Sequence, residues 1–393
     1  MEYIINLHTP APLLLIALSR PELLDRRPNW GGGRQNFTAI ALQPLNIVQT
    51  RDLVDGLMKD VREATREEVV ERSGGNPFFV LEMIRGLAER GLTGEAVTLD
   101  ALPDTVHAAV LARLDLLSRE ERETLQVASV LGRTFRPAML QAVLSEYSMQ
   151  EIDAALDGLL SRDMTVPTEG GIFAFRHILI RDVAYGTLSR AERIRLHGQI
   201  AVWLESAAEE RVDEYAEVIA YHYHEAVRLA RQSAVPKAPS AETKRAVHFL
   251  RRAGELASYA GAFAEARAHL QNAIAIAPAS EHAQLYEQLG DCVLWGASAT
   301  EAYSQALEHW RSAGGVQPLV GARLLRKLLI VYTRGFVGKR LSKEDFGRLR
   351  TEAQELAEAA GDEDELWRVR LIDLFYSHLR TDLTPEEMNE KRR

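Results

Sequence analysis

Apolar residues follow two different rhythms along this chain. Before about residue 45 they come in short unbroken runs, and after it they recur at helical spacing. Pro12 to Leu18 is nearly all apolar, the signature of a short parallel strand covered on both faces. Ser19-Arg20-Pro21-Glu22 breaks it, Asn29-Trp30-Gly31-Gly32-Gly33 reads as a loop, and Phe37 to Leu42 reads as a second short strand. From Leu45 onward the pattern predicts helices. Pro77 suits the first position of a helix with Asn76 as its N-cap. That helix runs through Val80, Leu81, Ile84 and Leu87, and Gly91 is its expected stop.

A second unit opens near Leu102-Pro103-Asp104. Asp104 to Leu117 carries Val106, Val110, Leu111 and Leu114 on one helical face, and Ser118 with Glu121 forms a capping box for the next helix. Thr134 to Leu144 and Ser148 to Leu160 predict two further helices. Met164 to Phe175 then changes period, and its Pro167 and Gly170-Gly171 predict a hairpin with an edge strand. Helices followed by a two-stranded ribbon give the outline of a winged helix.

From about Ala201 the pattern is helical to the end, and here it repeats. Leu250, Ala253, Gly254, Ala257, Ala266, Leu270, Ala273 and Pro278 fall on the spacing of the tetratricopeptide repeat, with Gly254 and Ala266 small enough for two helices to approach closely. An irregular copy follows at Tyr286, Leu289, Gly290, Ala302 and Ala306. Segments around Leu324 to Tyr332 and Thr351 to Ala360 continue the array. The fold class expected is therefore mainly α. Residues 1–98 would be the remnant of an α/β domain, 99–200 a winged-helix-like unit, and 201–393 a tetratricopeptide-like solenoid.

Composition narrows the chemistry. The 393 residues carry a formal net charge of −9, against the basic face that nucleic-acid binding needs. On the predicted recognition helix, Glu151, Asp153 and Asp157 would meet phosphates unfavourably, so DNA binding is not expected. The one cysteine, Cys292, lies in an apolar helical run and reads as structural; a lone cysteine excludes an internal disulfide and suits a reducing cytoplasm. No run reaches the length of a membrane span, and no secretory leader is visible, so a cytoplasmic location is expected. Tyr221-His222-Tyr223-His224 reads as helix packing rather than a metal site, because the two imidazoles fall on different faces. His177 and His197 read as satisfied structural histidines, with a mutual hydrogen bond in the core or a switch contact as the alternatives. No nucleophile-elbow spacing supports a Ser-His-Asp triad, and Glu205 to Glu217 reads as a solvated face.

Taken in order, Leu18-Ser19-Arg20-Pro21-Glu22-Leu23-Leu24, Gly75-Asn76-Pro77-Phe78-Phe79, Phe175-Arg176-His177 through Arg181-Asp182-Val183-Ala184-Tyr185, Arg195-Leu196-His197 and the repeat at Gly254 resemble a known family. These are the bacterial signal-transduction ATPases with numerous domains, in the region after their Walker motifs. Such modules accompany class III adenylate/guanylate cyclase or LuxR-type output domains. The resemblance implies that Arg20 is a sensor arginine for the terminal phosphate. It implies that Asn76 and Pro77 form the turn against the adenine side, coupling a winged helix to nucleotide state. An intact parent would take ATP or ADP with magnesium, and its repeats would bind a protein or peptide.

The chain departs from the family where the phosphates would sit. No G-x-x-x-x-G-K-[ST] occurs; Gly335-Phe336-Val337-Gly338-Lys339-Arg340 has the wrong spacing, and Gly31-Gly32-Gly33-Arg34 lacks the lysine and hydroxyl. No apolar strand ending in acidic residues precedes Leu13. No catalytic residue, no metal and no cofactor is therefore expected of this chain alone. Met1 reads as a start inside a parent domain, which predicts a fragment whose unpaired strand makes its N-terminal part the least stable. The expected function is a non-catalytic regulatory or protein-interaction piece of a nucleotide-switched ATPase. The alternatives are the regulatory half of a cyclase or transcriptional regulator completed by an upstream ATPase or cyclase segment, and a DNA-binding winged-helix protein.

Overall fold

The structure, a computed structural model, describes residues 37–58, 62–92, 102–232, 241–293, 297–333 and 341–379, with isolated positions before residue 37. The fold is mainly α. Chain compactness divides it into two units: residues 1–84 with 93–102, and residues 85–92 with 103–393.

The first unit holds α1 (Ile47–Leu57), α2 (Glu63–Ser73) and the first half of α3 (Pro77–Glu89). Asn46 and Gln49 cap α1 reciprocally, each side chain accepting from the other's backbone N–H. Ion pairs Arg51–Glu67 and Arg66–Asp55 tie α1 to α2, around buried Val54, Val69 and Val70. Among the described residues of the two segments expected to be strands, none is in a strand. Leu14, Ile16 and Leu18 lie in irregular backbone and are 83%, 74% and 91% exposed; Phe37 to Leu42 is likewise irregular, with Ile40 and Leu42 exposed. A strand needs neighbours to satisfy its N–H and C=O groups. Among the described residues the only sheet lies in the second unit.

The second unit begins with the end of α3 and continues with α4 (Val106–Leu114), α5 (Arg119–Leu131), β1 (Thr134–Phe135), α6 (Pro137–Val143), α7 (Met149–Ser161), β2 (Thr165–Thr168), β3 (Ile172–Phe175) and α8 (Ile178–Thr187). Thr105 caps α4 by accepting from Ala108 N. Capping boxes open α5 at Ser118/Glu121 and α7 at Ser148/Glu151. Thr134 to Leu144 is not one helix, as its spacing predicts. Pro137 forces Arg136 into extended backbone, which separates a short strand from α6. Phe135, 2% exposed, then packs on Phe173 and Phe175, and the sheet runs antiparallel in the order β1-β3-β2. Val166 pairs with Ala174, and Thr134 pairs with Ala174 from the other side. Pro167 sits in the edge strand β2, where no inward N–H is demanded, and Gly170 and Gly171 take the positive φ of the turn.

Helices then follow one another: α9 (Arg190–Ala208), α10 (Val212–Arg231), α11 (Ala241–Tyr259), α12 (Phe263–Ile276), α13 (Ala279–Val293), α14 (Ala297–Ser312), α15 (Pro318–Thr333), α16 (Lys343–Ala360) and α17 (Glu363–Leu379). Each packs on the next from α9 to α17. Small residues set the approach of paired helices. A methyl built on Gly254 would lie 3.0 Å from Leu270 Cγ, and one on Gly290 would lie 2.5 Å from the Tyr303 ring. Cys292 is buried, and burial raises its thiol pKa.

Candidate functional site

The Gly74-Gly75-Asn76-Pro77 turn is built as the sequence predicts. Gly74 and Gly75 both take positive φ, 54° and 75°. Leu45 N donates to Gly75 O at 2.9 Å, and a methyl on Gly75 would collide with the Leu45 carbonyl, so this position admits only glycine. Pro77 heads α3. Asn76 Oδ1 accepts from Phe78 N at 3.0 Å and from Phe79 N at 3.3 Å, closing the helix end on itself. Arg20 lies outside the described residues.

Beside this turn is a cavity of about 730 Å³, lined by Leu45, Asn46, Arg51, Glu67, Glu71 and Gly75 among others. Its one lining cation, Arg51, is paired with Glu67 at 2.6 Å, and Glu71 adds a second carboxylate. The α3 donors nearest the turn are taken by Asn76. The described residues therefore do not fit a triphosphate, which needs uncommitted cations and N–H groups. Among them, no three His, Cys, Asp or Glu residues are placed to hold a metal ion.

The C-terminal half of α3 is anchored within the second unit by two ionic clamps. Arg113, fully buried on α4, grips Glu89 with Nε 3.1 Å from both carboxylate oxygens and Nη2 2.7 Å from one, and also donates to the Arg162 carbonyl that ends α7. Gly86 makes room: a methyl there would be 3.3 Å from Arg113 Cγ. Asp163, held at φ 56°, accepts from Arg85 at 2.7 Å and from Arg176 at 2.6 Å. α3 thus starts at the Asn76 turn in one unit and ends in fixed ion pairs in the other.

A third assembly joins α8, α9 and α10. Tyr185 Oη lies 3.1 Å from His197 Nε2, and His197 Nδ1 lies 3.0 Å from His222 Nδ1. Both imidazoles are buried, at 0% and 1% exposed. Burial depresses His197 to about 4, helped by Arg181, Arg228 and Arg193 and opposed by Glu225. Burial and the neighbouring His197 take His222 to about 3. The partner of His197 is therefore His222 and not His177, which is the N-cap of α8 and accepts from Leu179 N through Nδ1. The sequence reads His222 as helix packing, which its burial matches, but the Tyr221-His222-Tyr223-His224 string does not name His197 as its partner.

Along α11, α13, α15 and α17 runs a rail of polar pairs. Gln288 meets Glu255; Glu287, 5% exposed, takes Arg323 at 2.7 Å and Lys327 at 2.8 Å; Lys327 also meets Asp291; and Arg326 meets Glu365. Burial pushes the Glu287 carboxyl up, but the hydrogen bonds and charges of Arg323 and Lys327 overcome it and hold the pKa below the usual range. The pairs link each repeat to the next, which is why their partners lie more than thirty residues apart.

No family model matches this chain. An uncharacterized protein of Rhizobium meliloti (strain 1021) is 25% identical over 221 residues, covering 50% of this chain; the match spans 21% of the relative's own length. Among solved structures, a Signal Transduction ATPase with Numerous Domains (STAND) protein with a tetratricopeptide repeat sensor, from Pyrococcus horikoshii, aligns over 93% of this chain and 55% of its own. The identity is 13% and the TM-score is 0.36. No helix among the described residues is long and apolar enough to cross a membrane.

Proposed function

We propose that this chain is a non-catalytic relay and docking module of a nucleotide-switched signalling ATPase. In this reading Asn76 and Pro77 form the turn that faces the adenine side of a nucleotide held by an upstream segment. Residues 99–200 act as a winged-helix coupling unit, and the helices of residues 201–393 receive a protein or peptide. Arg20 is assigned the phosphate-sensing role by the same reading, and ATP or ADP with magnesium belongs to the intact parent.

The observation that carries the proposal is α3. Its first residue follows the capped turn, and its last turn is held by Arg113 and Asp163, so one helix carries both the turn and the clamps. The poor fit of the described cavity to a triphosphate supports relay over turnover. Exposed Glu151, Asp153 and Asp157 on α7 disfavour DNA as the partner.

The test is nucleotide binding and phosphate release by the purified chain. The expected result is no magnesium-dependent phosphate release and no micromolar ATP affinity. Turnover abolished by Arg20→Ala would overturn the reading. Salt-sensitive binding to duplex DNA would favour the transcription-factor alternative.

A further inference from the structure

We propose that the Tyr185–His197–His222 chain is an acid-opened joint between α8 and the α9–α10 hairpin. The geometry leaves room for one proton between the two Nδ1 atoms, which face each other at 3.0 Å. Either His197 donates to His222 and accepts from Tyr185 through Nε2, or His222 donates to His197, which then donates to Tyr185. Both arrangements are neutral and use every facing group. A proton on each Nδ1 would place two N–H groups head to head, so a doubly charged pair has to part.

The surroundings mostly oppose a new charge. On α8, Arg181 and Tyr185 face the pair; Arg193 faces it from α9; and Tyr221, Glu225 and Arg228 face it from α10. Arg181 and Arg193 lie over the Tyr185 ring, at 5.5 and 4.4 Å from its centroid, and add positive potential. Glu225 is the nearby carboxylate, and Arg228 already holds it at 2.6 Å. From α5, packed on the other side of α8, the contact is the Ser129 carbonyl, occupied by Arg181. Charging His197 thus meets burial, three arginines and one committed carboxylate, and charging His222 meets burial and the neighbouring His197. Opening α8 from the hairpin removes Tyr185 from His197 and admits water, so that the two rings can turn away from each other within the hairpin and each take a proton.

The size of the effect follows from linkage. Two histidines neutral in the closed form and ordinary in the open form raise the opening constant about 100-fold between about pH 7.5 and about pH 5.5, roughly tenfold for each ring. Hydrogen–deuterium exchange of the full chain, corrected for chemical rate, reads this directly. Peptides from α8 to α10 are expected to exchange at least about 100-fold faster at the lower pH, while α15 and α16, which contain no histidine, do not change. In the His197→Gln/His222→Gln variant the acceleration is expected to fall to about tenfold or less, the share His224 can supply. An unchanged response in that variant, or equal acceleration in α15 and α16, would overturn the proposal. If the variant does not fold at neutral pH, imidazole 15N shifts of the wild type decide: both rings are expected to stay neutral while α8 to α10 remain protected. Titration near the ordinary histidine value with protection intact would sink the idea.

Discussion

The Arg113–Glu89 clamp and the Tyr185–His197–His222 chain are both buried polar assemblies of the second unit, and opposite electrostatics hold them. The clamp needs its charges: a guanidinium with no solvent exposure is tolerable only because Glu89 and the Arg162 carbonyl satisfy it. The histidine chain needs charge to stay away. The comparison shows that a buried polar group is stabilised by whichever protonation state its neighbours complete, so the two assemblies should fail under different treatments. Arg113→Ala gives the largest expected effect. It strands Glu89 and the α7 carbonyl and opens a cavity, at a cost of about 3–5 kcal/mol. Urea unfolding at neutral pH measures it, and a loss below about 1 kcal/mol would mean that the clamp is not closed in solution.

Acid acts on the histidine chain first. The folded pKa values of His197 and His222 are depressed, so the closed form is neutral, and its advantage is complete above the unfolded value near 6.5. That advantage falls as the pH drops from there toward about 4, by ~3 kcal/mol for His197 alone. Glu287 obeys the carboxylate version of the same rule. Its contribution is present above the unfolded value of 4.5 and disappears below it, as protonation releases Arg323 and Lys327. Unfolding midpoints followed from neutral pH downward should therefore fall in two stages, histidines before carboxylates. A single transition centred below 4.5 would dissolve the distinction between the two assemblies.

How much of this was readable beforehand depends on how local the cause is. The Ser118/Glu121 box, the Asn76 cap and the Gly254 contact were legible because each is decided within a few residues or by a repeat that states its own period. The strand expected at Phe37 to Leu42 failed because a strand depends on partners elsewhere in the chain, and an apolar run names none. β1 was missed for the same reason: Thr134 and Phe135 are strand because Ala174 and Phe173 lie beside them. The arginine staples were equally hidden. Arg193 donates to the carbonyls of Tyr185 and Gly186 near the end of α8, and Arg231 donates to those of Ala275 and Ile276 at the end of α12. Each quiets the negative end of a helix from another element, and nothing in the local sequence marks it. His222 belongs with them, since its partner lies 25 residues away.

Gly290→Ala supplies an uncharged control for both assemblies. The new methyl would meet the Tyr303 ring at 2.5 Å, and that ring is fixed by its hydroxyl on Asp291. Overpacking of about 1–3 kcal/mol is set against a gain of ~1 kcal/mol in helix propensity, leaving a modest net loss. At Gly254 the same change meets Leu270 Cγ at 3.0 Å, close enough for a small shift to relieve, so the two terms should nearly cancel. Neither loss should vary between neutral pH and about pH 5.5, because neither involves a proton. Thermal melts of the two variants at both pH values check the pair; a pH-dependent loss would show that the array responds to acid by some route other than the histidines.

The smallest expected effect is Asn76→Ala, and it separates capping from charge altogether. Pro77 has no N–H to lose, so the donors set free are those of Phe78 and Phe79, for which Asn76 Oδ1 is the acceptor. Losing a cap costs about 1 kcal/mol. The cost should appear as faster exchange of the first α3 amides, with the Arg113 and Asp163 clamps at the far end undisturbed. Asn76→Asp restores an acceptor and adds a negative charge where the helix dipole favours one, so protection should return at neutral pH and fade only as that carboxyl is protonated, near the ordinary aspartate value. Alanine should show the same loss at every pH. If instead alanine speeds exchange at neither end and aspartate changes nothing, the turn is held by the Leu45–Gly75 backbone bond and the two left-handed glycines alone, and Asn76 is free to turn its amide toward another group.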